Sequence, residues 1–578
     1  MRKNYFAIVI VFCACLLFFG SCQKENFLDK TESTDLKEAT VFADSAYTMD
    51  FLTGIYTDVG FSTSPTRFGG GGLDASSDEA EGSSSGSINT YIQFATGTVN
   101  PSIINSDSWS VPYANIRRVN KLLQHLPAVK FSIPLKARVK AEARFLRAWY
   151  YSILLRHYGG VPILRDSIYN SADSIPTVRN TYEECVNYIV KECNEAAPDL
   201  PWVQDGPEYG RVNKAACLAL KARVLLYAAS PLFNGGGLAT TEPLKSVVAY
   251  PTSDKERWKL AQDAALEVIN PGQYSLVLDN TTEPGFGFYK LFTLRKSSEL
   301  IFARMQGPNY QLESVWLPPT HGVSNPAAYP YLETVNAFGM KNGKAIDAVG
   351  SGYDEQNPYN DRDPRLINSF VRDQSLVYHV PELDRIPVNI FIDKTDPNKT
   401  VSGQNAIYKG TPTGYYTYKM VTRDVVSNWF NTKSSRCFPL IRYAEVLLDY
   451  AEARNEYLDE PDLEVYKAVE AIRERAGLVP FTLEAGLSQD KMREIIHNER
   501  RKELAFEGHR FFDVRRWKIA DVTENKMMHG TEPVKTASGT IYNTIEVRKH
   551  NFSDKMYLWP IPESEIKKSP DLMQNPGY

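Results

Sequence analysis

AEARFLRAWYYSILLRHYGGVPI, residues 141–163, decides the fold class. Ala141, Phe145, Ala148, Trp149 and Ser152 recur at spacings of three and four, which places them on one face of a helix predicted over 135–158. Gly159-Gly160 followed by Val161-Pro162 ends that helix cleanly. The same grammar appears at 41–59, 109–126, 182–196, 213–229 and 257–269, and again at 441–456, 463–476 and 488–507. These lengths and Ala-rich faces predict helical hairpins stacked side by side, each covering surface its neighbour cannot bury alone. The expected fold is therefore mostly α, on tetratricopeptide-like helix pairs, with degenerate repeats separated by long insertions. Small residues let helix backbones approach, while Leu447, Leu448 and Phe506 fill wider gaps.

Between 271 and 435 the texture shifts to short apolar segments rich in Pro, Gly, Asn and Tyr, which predicts loops and short strands. The chain thus divides into a helical region at 41–270, a mixed loop and short-strand ligand-binding lobe at 271–435, returning helices at 436–519 and an irregular closure at 520–578. Within the first region RFGGGGLDASSDEAEGSSSGS (67–87) breaks all periodicity and predicts a surface loop near 67–94. A length of 578 residues exceeds what one core usually serves, so more than one lobe is expected. With 43% hydrophobic and 23% charged residues, the bulk of the chain is expected to fold as a soluble body.

The N-terminus carries Arg2 and Lys3, an apolar run from Tyr5 to Phe19, then Gly20, Ser21 and Cys22. That is a signal peptide at 1–21, its apolar run too short for an ordinary membrane span. Cleavage before Cys22 leaves a thiol as the bacterial acceptor for lipid, followed by a polar tether at 22–40. Phe19 departs mildly from the Leu usual three places before that cysteine. Several acyl chains together anchor stably where one does not. Without the leader the chain has 63 basic against 69 acidic residues, a net charge of -6, and no electrostatic case for nucleic acid.

Cys185, Cys193, Cys217 and Cys437 remain in the folded body. The first two sit about 12 Å apart on one predicted helix, too far for a mutual disulfide, and all four read as small core residues. No CxxC or mixed His/Cys cluster suggests zinc. Glu499, Arg500, Arg501, Glu503, Glu507, Arg510, Asp513, Arg515 and Arg516 look like a charged active site, yet their spacing favours ion pairs at intervals of three or four. The expectation is a structural network in which guanidinium planes satisfy carboxylates. Asp361, Asp363 and Arg365 read as a Pro-anchored turn rather than a calcium loop. Gly69–Gly72 lacks the following GK[ST] of a phosphate loop, and none of the histidines forms an HExxH pair.

Six blocks resemble the SusD/RagB family of outer-membrane nutrient-binding lipoproteins of Bacteroidetes-type bacteria. They are residues 141–163 quoted above, GRVNKAACLALKARVLLYAA (210–229), YDEQNPYNDRDPRL (353–366), IRYAEVLLDYAEARNE (441–456), NERRKELAFEGHRFFDVRRW (498–517), and YLWPIPESEI with QNPGY (557–566, 574–578). Ala141 stands where the family often has Gly, and Ser152 where it often has an aromatic residue. The resemblance implies a SusD-like fold with a bundle of tetratricopeptide-like helix pairs and an irregular part carrying much of the glycan site. It also implies a lipid-anchored lid, facing outward from the outer membrane, that hands oligosaccharide to a SusC-like TonB-dependent transporter. QKEN after Cys22 resembles the surface-export signal of such lipoproteins.

A sugar offers flat CH faces and a rim of hydroxyls, so a site for it needs exposed rings and short polar side chains. The segment 67–94 supplies Phe68, Asp74, Asp78, Glu79, Asn89 and Tyr91; the segment 309–331 supplies Tyr310, Trp316, Tyr329 and Tyr331. The sharp expectation is that the two segments meet over one shallow surface groove, with Trp316 as stacking platform and Asp78 and Glu79 as polar clamps. Its rival is that Trp316 and Tyr331 fill a core. No cofactor or metal is called for, and no motif marks a catalytic pair. Binding without turnover is the expectation; a surface-anchored hydrolase and a structural or adhesive surface protein are its rivals.

Overall fold

A computed structural model describes residues 37–67, 71–83, 90–104, 107–170, 173–321, 326–379, 384–423 and 433–578. The leader and Cys22 lie outside the described residues. The scaffold helices are α1 (Ser45–Tyr56), α2 (Ser110–His125), α3 (Ile133–Tyr158), α4 (Tyr182–Ala196), α5 (Lys214–Ala229), α6 (Glu256–Ile269), α7 (Tyr443–Tyr457), α8 (Leu463–Arg475) and α9 (Gln489–Glu503). Their starts are written locally. Ser132 accepts from the Leu135 amide at the head of α3, and Thr181 and Glu184 cap α4 reciprocally. Asn213, Asp462 and Ser488 cap α5, α8 and α9 in the same way.

At the end of α3 the chain turns through Gly159, whose φ of +78° favours glycine. A Cβ on the next residue, Gly160, would fall 2.1 Å from the Asn180 carbonyl oxygen, so the segment packs there only without a side chain. The sequence run 488–507 overshoots the real end of α9, because Phe506 at φ +58° sits in a turn rather than a helix.

Successive helices pack in pairs from α2 to α6; α7 then joins the same stack against α5 and α6, bringing α8 and α9 with it. Helix α5 buries Ala, Leu and Cys residues around most of its circumference, as a helix in the middle of a stack must. The apolar interior is continuous, running from Phe42 to Leu572. Cys185, Cys193, Cys217 and Cys437 are buried free thiols inside it. Among the described residues no helix is long and apolar enough to cross a membrane.

Residues 271–435 form loops with short elements. The strands that matter here are β1 (Ala80–Gly82), β2 (Leu300–Arg304), β3 (Ala328–Pro330), β4 (Ile392–Asp393), β5 (Val401–Ser402), β6 (Phe438–Arg442), β7 (Met527–Thr536) and β8 (Gly539–Lys549). Strands β2 and β6 pair antiparallel and β6 leads directly into α7, which ties the mixed region to the scaffold. A four-stranded sheet has the order β8-β7-β4-β5.

Two expectations need correction. The segment 520–578 is not irregular: β7 and β8 form a hairpin of ten and eleven residues. The alternation of Ile541, Asn543, Ile545 and Val547 with their neighbours is a half-buried strand pattern interrupted by polar residues, which hides it from a helix-period search. Nor is the glycine-rich stretch wholly surface, since residues 71–82 are buried. Its glycines serve close approach: a Cβ on Gly71 would lie 2.3 Å from the Ala327 carbonyl oxygen.

Candidate ligand site

The two segments singled out in the sequence do meet, as a strand pair. Strands β1 and β3 run antiparallel with Glu81 opposite Tyr329 and Gly82 opposite Ala328. A Cβ on Gly82 would sit 2.1 Å from the Tyr91 ring, so the bare backbone lets that ring lie against the strand. The expected surface groove of Trp316 and the acids is not what surrounds the pair.

Trp316 is 0% exposed and packs edge to face on Phe506. The helix Gln311–Trp316 turns Leu312, Glu313 and Trp316 inward, and Arg436 holds the Glu313 carboxylate in two bonds of 2.7 and 2.5 Å. Trp316 is therefore a core residue, not an exposed platform. Asp78 is not an open clamp either: Arg510 grips it with two bonds of 2.7 Å, and Arg501 lies 3.3 Å away. Burial raises the Asp78 carboxyl, but the charges of Arg510 and Arg501 outweigh it and hold the group well below the usual range.

Glu79 accepts from the Phe506 amide at 3.1 Å, and burial with the charge of Asp74 pushes its carboxyl far up. Asp74 is pushed up to about 7 by burial, opposed by hydrogen bonds from Glu79 and the Gly508 amide. Tyr331 is buried, donating to Glu81 at 2.8 Å. Tyr91 and Tyr329 are also buried, and Tyr310 is half-buried. Phe68 and Asn89 lie outside the described residues. Pairing of β1 with β3 carries Glu81, Tyr329 and the flanking Glu79 and Tyr331 into the interior, while Trp316 is turned inward by its own helix and Asp78 by Arg510.

What remains open is the cleft beyond that pair. A space of about 320 Å³ is lined by Glu81, Gly82, Ser83, Tyr329, the turn 408–412, Val547 and Arg548. The turn decides its character. Tyr408 is 83% exposed and has φ +61°, a left-handed backbone that a bulky side chain adopts at a cost of roughly 1–3 kcal/mol. Hydrogen bonds hold it there: the Tyr408 amide donates to the Thr411 carbonyl at 3.2 Å, and the Lys409 and Gly410 amides donate to Ala406. A Cβ on Gly410 would fall 2.6 Å from the Tyr416 hydroxyl, so glycine is required for the turn to sit down on its support.

Across the cleft, Arg548 on β8 donates from Nε and Nη2 to the two oxygens of Glu81 at 2.7 and 2.9 Å. The Tyr329 ring rests on Tyr416, centroids 5.6 Å apart. The cleft thus offers an exposed ring, the edge of a second, an ammonium group and a fixed guanidinium. Sequence reasoning missed Tyr408, Lys409 and Arg548. The run KGTPTGYYTYK after Tyr408 carried the turn signal, and the alternation in β8 carried the other.

A larger cleft of about 1550 Å³ opens on the helical face among α2, α3, α4 and the segments 163–169 and 173–174. Its central charges are spoken for: Arg147 pairs with Glu192 and Asp166, and Arg144 with Glu192 and Glu195. Its rings, Tyr169 and Tyr188, are only partly exposed.

The charged segment 499–516 lies inside the protein. Arg442 donates to Glu299 at 2.9 Å, Glu503 at 2.6 Å and Glu507 at 2.8 Å. Arg475 reaches Glu299 and Glu503, Arg365 reaches Asp363, Glu499 and Glu503, and Lys419 reaches Glu507. Most partners come from other elements rather than from three or four residues away, because the helix face bearing the glutamates is buried against them. Burial raises Glu503, and the charges of Arg475, Arg442, Arg365 and Lys419 together drive it well below the carboxylate range; Glu499 is brought to about 2 by Arg365 and Lys502 against the same burial. Among the described residues no group of three or more His, Cys, Asp or Glu could hold a metal ion.

Compared with known proteins, residues 296–578 match the sequence profile of the SusD family, and residues 26–226 match one described as starch-binding associating with outer membrane. The chain belongs to the SusD/RagB family. Similarity to this family extends over 491 residues of SusD-like protein P2 from Formosa agariphila, 26% identical, covering 81% of this chain and 80% of that protein. In three dimensions the SusD-like protein of Bacteroides fragilis superposes with a TM-score of 0.74 at 26% identity, covering 93% of this chain and 98% of the other. Surface glycan-binding protein A from Bacteroides thetaiotaomicron, solved in complex with laminarihexaose, shares the fold at a TM-score of 0.61 and 18% identity, over 92% and 99% of the two chains.

Proposed function

We propose that this SusD-family chain captures an oligosaccharide in the cleft between the 408–412 turn and β8, and passes it uncut to a SusC-like TonB-dependent transporter. Lipid on Cys22 would hold it at the outer face of the outer membrane, where tethering raises its concentration beside the barrel and modest direct affinity suffices. The helix stack serves as the tetratricopeptide-like scaffold of that lid.

The observation that carries this reading is Tyr408, a large ring kept in water on a strained backbone at the mouth of an open cleft. Strain of this kind persists only where the surroundings impose it, and it clusters at ligand sites. The family's shared fold with a laminarihexaose-bound relative supports a sugar as the occupant. Binding without turnover is favoured because a glycosidase needs two carboxyl groups across its cleft. Glu81 is the one carboxylate among the described residues lining this one, and Arg548 and Tyr331 engage it.

Incubation of the protein with a glycan panel, followed by affinity measurement and product analysis, tests the reading. Saturable binding with every sugar recovered at its original length is expected. Release of shorter sugars would defeat it in favour of a surface hydrolase.

A further inference from the structure

We infer that the cleft takes an acidic sugar, one bearing a carboxylate or a sulfate ester. This rests on the proposal that the cleft is a glycan site, and it goes further by naming the ligand's charge.

The argument is a balance of charge among the groups that line the space. Glu81 supplies one negative charge, and it is fully engaged: both its oxygens accept from Arg548, and Tyr331 adds a third bond. Arg548 uses Nε and Nη2 in that pair, so Nη1 has no partner among the described residues. Lys409, exposed on the turn, forms no ion pair among them either. The cleft wall therefore carries one positive charge in excess, and it does so on a chain whose net charge is -4.

The arrangement suits an anion for two reasons. Glu81 holds the Arg548 guanidinium in place, so a ligand's acid meets a donor whose side-chain freedom has already been lost. Lys409 stands one residue beyond Tyr408, so a ring seated on the tyrosine brings its substituents within range of the ammonium group. A neutral sugar would use the ring and leave both cations to water. An acidic one would use all three.

The test uses the full mature chain and two matched pairs of probes. One pair is oligogalacturonate and its methyl ester; the other is a sulfated dextran oligosaccharide and unmodified dextran of the same length. Isothermal titration at low salt is expected to show the charged member of at least one pair binding about tenfold more tightly than its neutral match. Which pair responds tells carboxylate from sulfate. The advantage should shrink in high salt, vanish in Lys409→Met and survive in Lys409→Arg.

Equal affinity for charged and neutral members, or no binding of either charged probe, overturns the inference. If a neutral glycan then binds and Tyr408→Ala weakens it, the glycan reading stands while the charge assignment falls. If Tyr408→Ala leaves every bound sugar as tight as before, the cleft itself is the wrong site and both fall together.

Discussion

The segment 499–516 and the turn at 406–411 put polar chemistry to opposite uses. In the first, arginines and carboxylates crowd together in the sequence and vanish from the surface: Glu503 meets arginines from β6, α8 and the 361–366 turn, Arg500 and Arg516 meet Asp449 and Glu452 on α7, and Arg510 meets Asp78. In the second, a single tyrosine and a single lysine stand in water on a turn that the sequence marks only as a turn, not as a place where a ring is held exposed. Charge density along a chain therefore marks where elements are tied together; a ligand site is marked by side chains the fold pays to keep exposed. A buried ion pair is poor evidence of net stability, yet breaking one side strands the other in a medium that cannot solvate it.

That contrast is open to direct attack. The largest effect should come from Glu503→Ala, which leaves Arg442, Arg475 and Arg365 each short of a carboxylate. A loss of about 3–5 kcal/mol is expected in a urea melt. An unchanged midpoint would mean the network is ornamental, and the distinction between the two regions would collapse.

Trp316→Ala comes next, with an expected loss of about 3–5 kcal/mol from a fully buried ring. The folded fraction should bind sugars as well as the parent does. A stable variant with lost affinity would restore Trp316 to the role the sequence assigned it.

A smaller effect belongs to Asp74, whose carboxyl is raised by burial to about 7. A group with a higher pKa in the folded chain holds a proton that the unfolded chain releases near pH 4, so its contribution to stability is lost as pH climbs toward 7. Asp74→Asn should flatten that part of the decline between pH 4 and 7. Glu499 and Glu503 act in the opposite sense, since their depressed pKa values withdraw stability only as pH falls below about 4. Parallel melting curves for parent and variant from pH 4 to 7 would remove Asp74 from the account.

The helices were legible because their signal is local: a period of 3.6 places Ile133–Tyr158 and Tyr182–Ala196 almost to the residue, and a glycine stop fixes the end of the first. The meeting of segments 67–94 and 309–331 was legible as a juxtaposition. The orientation of their side chains was not, because it follows from the register of Glu81 on Tyr329, a contact between residues 248 apart in the chain. Trp316 and Asp78 read as ligand groups since rings and acids look alike whether they face water or a buried arginine. Tyr408 escaped notice for the converse reason. Its exposure is imposed by hydrogen bonds that the turn amides donate to the Thr411 and Ala406 carbonyls and by the close seat of Gly410 on Tyr416, none of which a residue type announces.

Titration of a bound oligosaccharide against Tyr408→Ala, alongside a thermal melt, tests the central claim most directly. The ring's contribution predicts affinity weakened about tenfold or more, with a midpoint close to the parent's because the ring is 83% exposed and alanine keeps the same left-handed backbone. Undiminished affinity in a well-folded Tyr408→Ala protein would contradict the account.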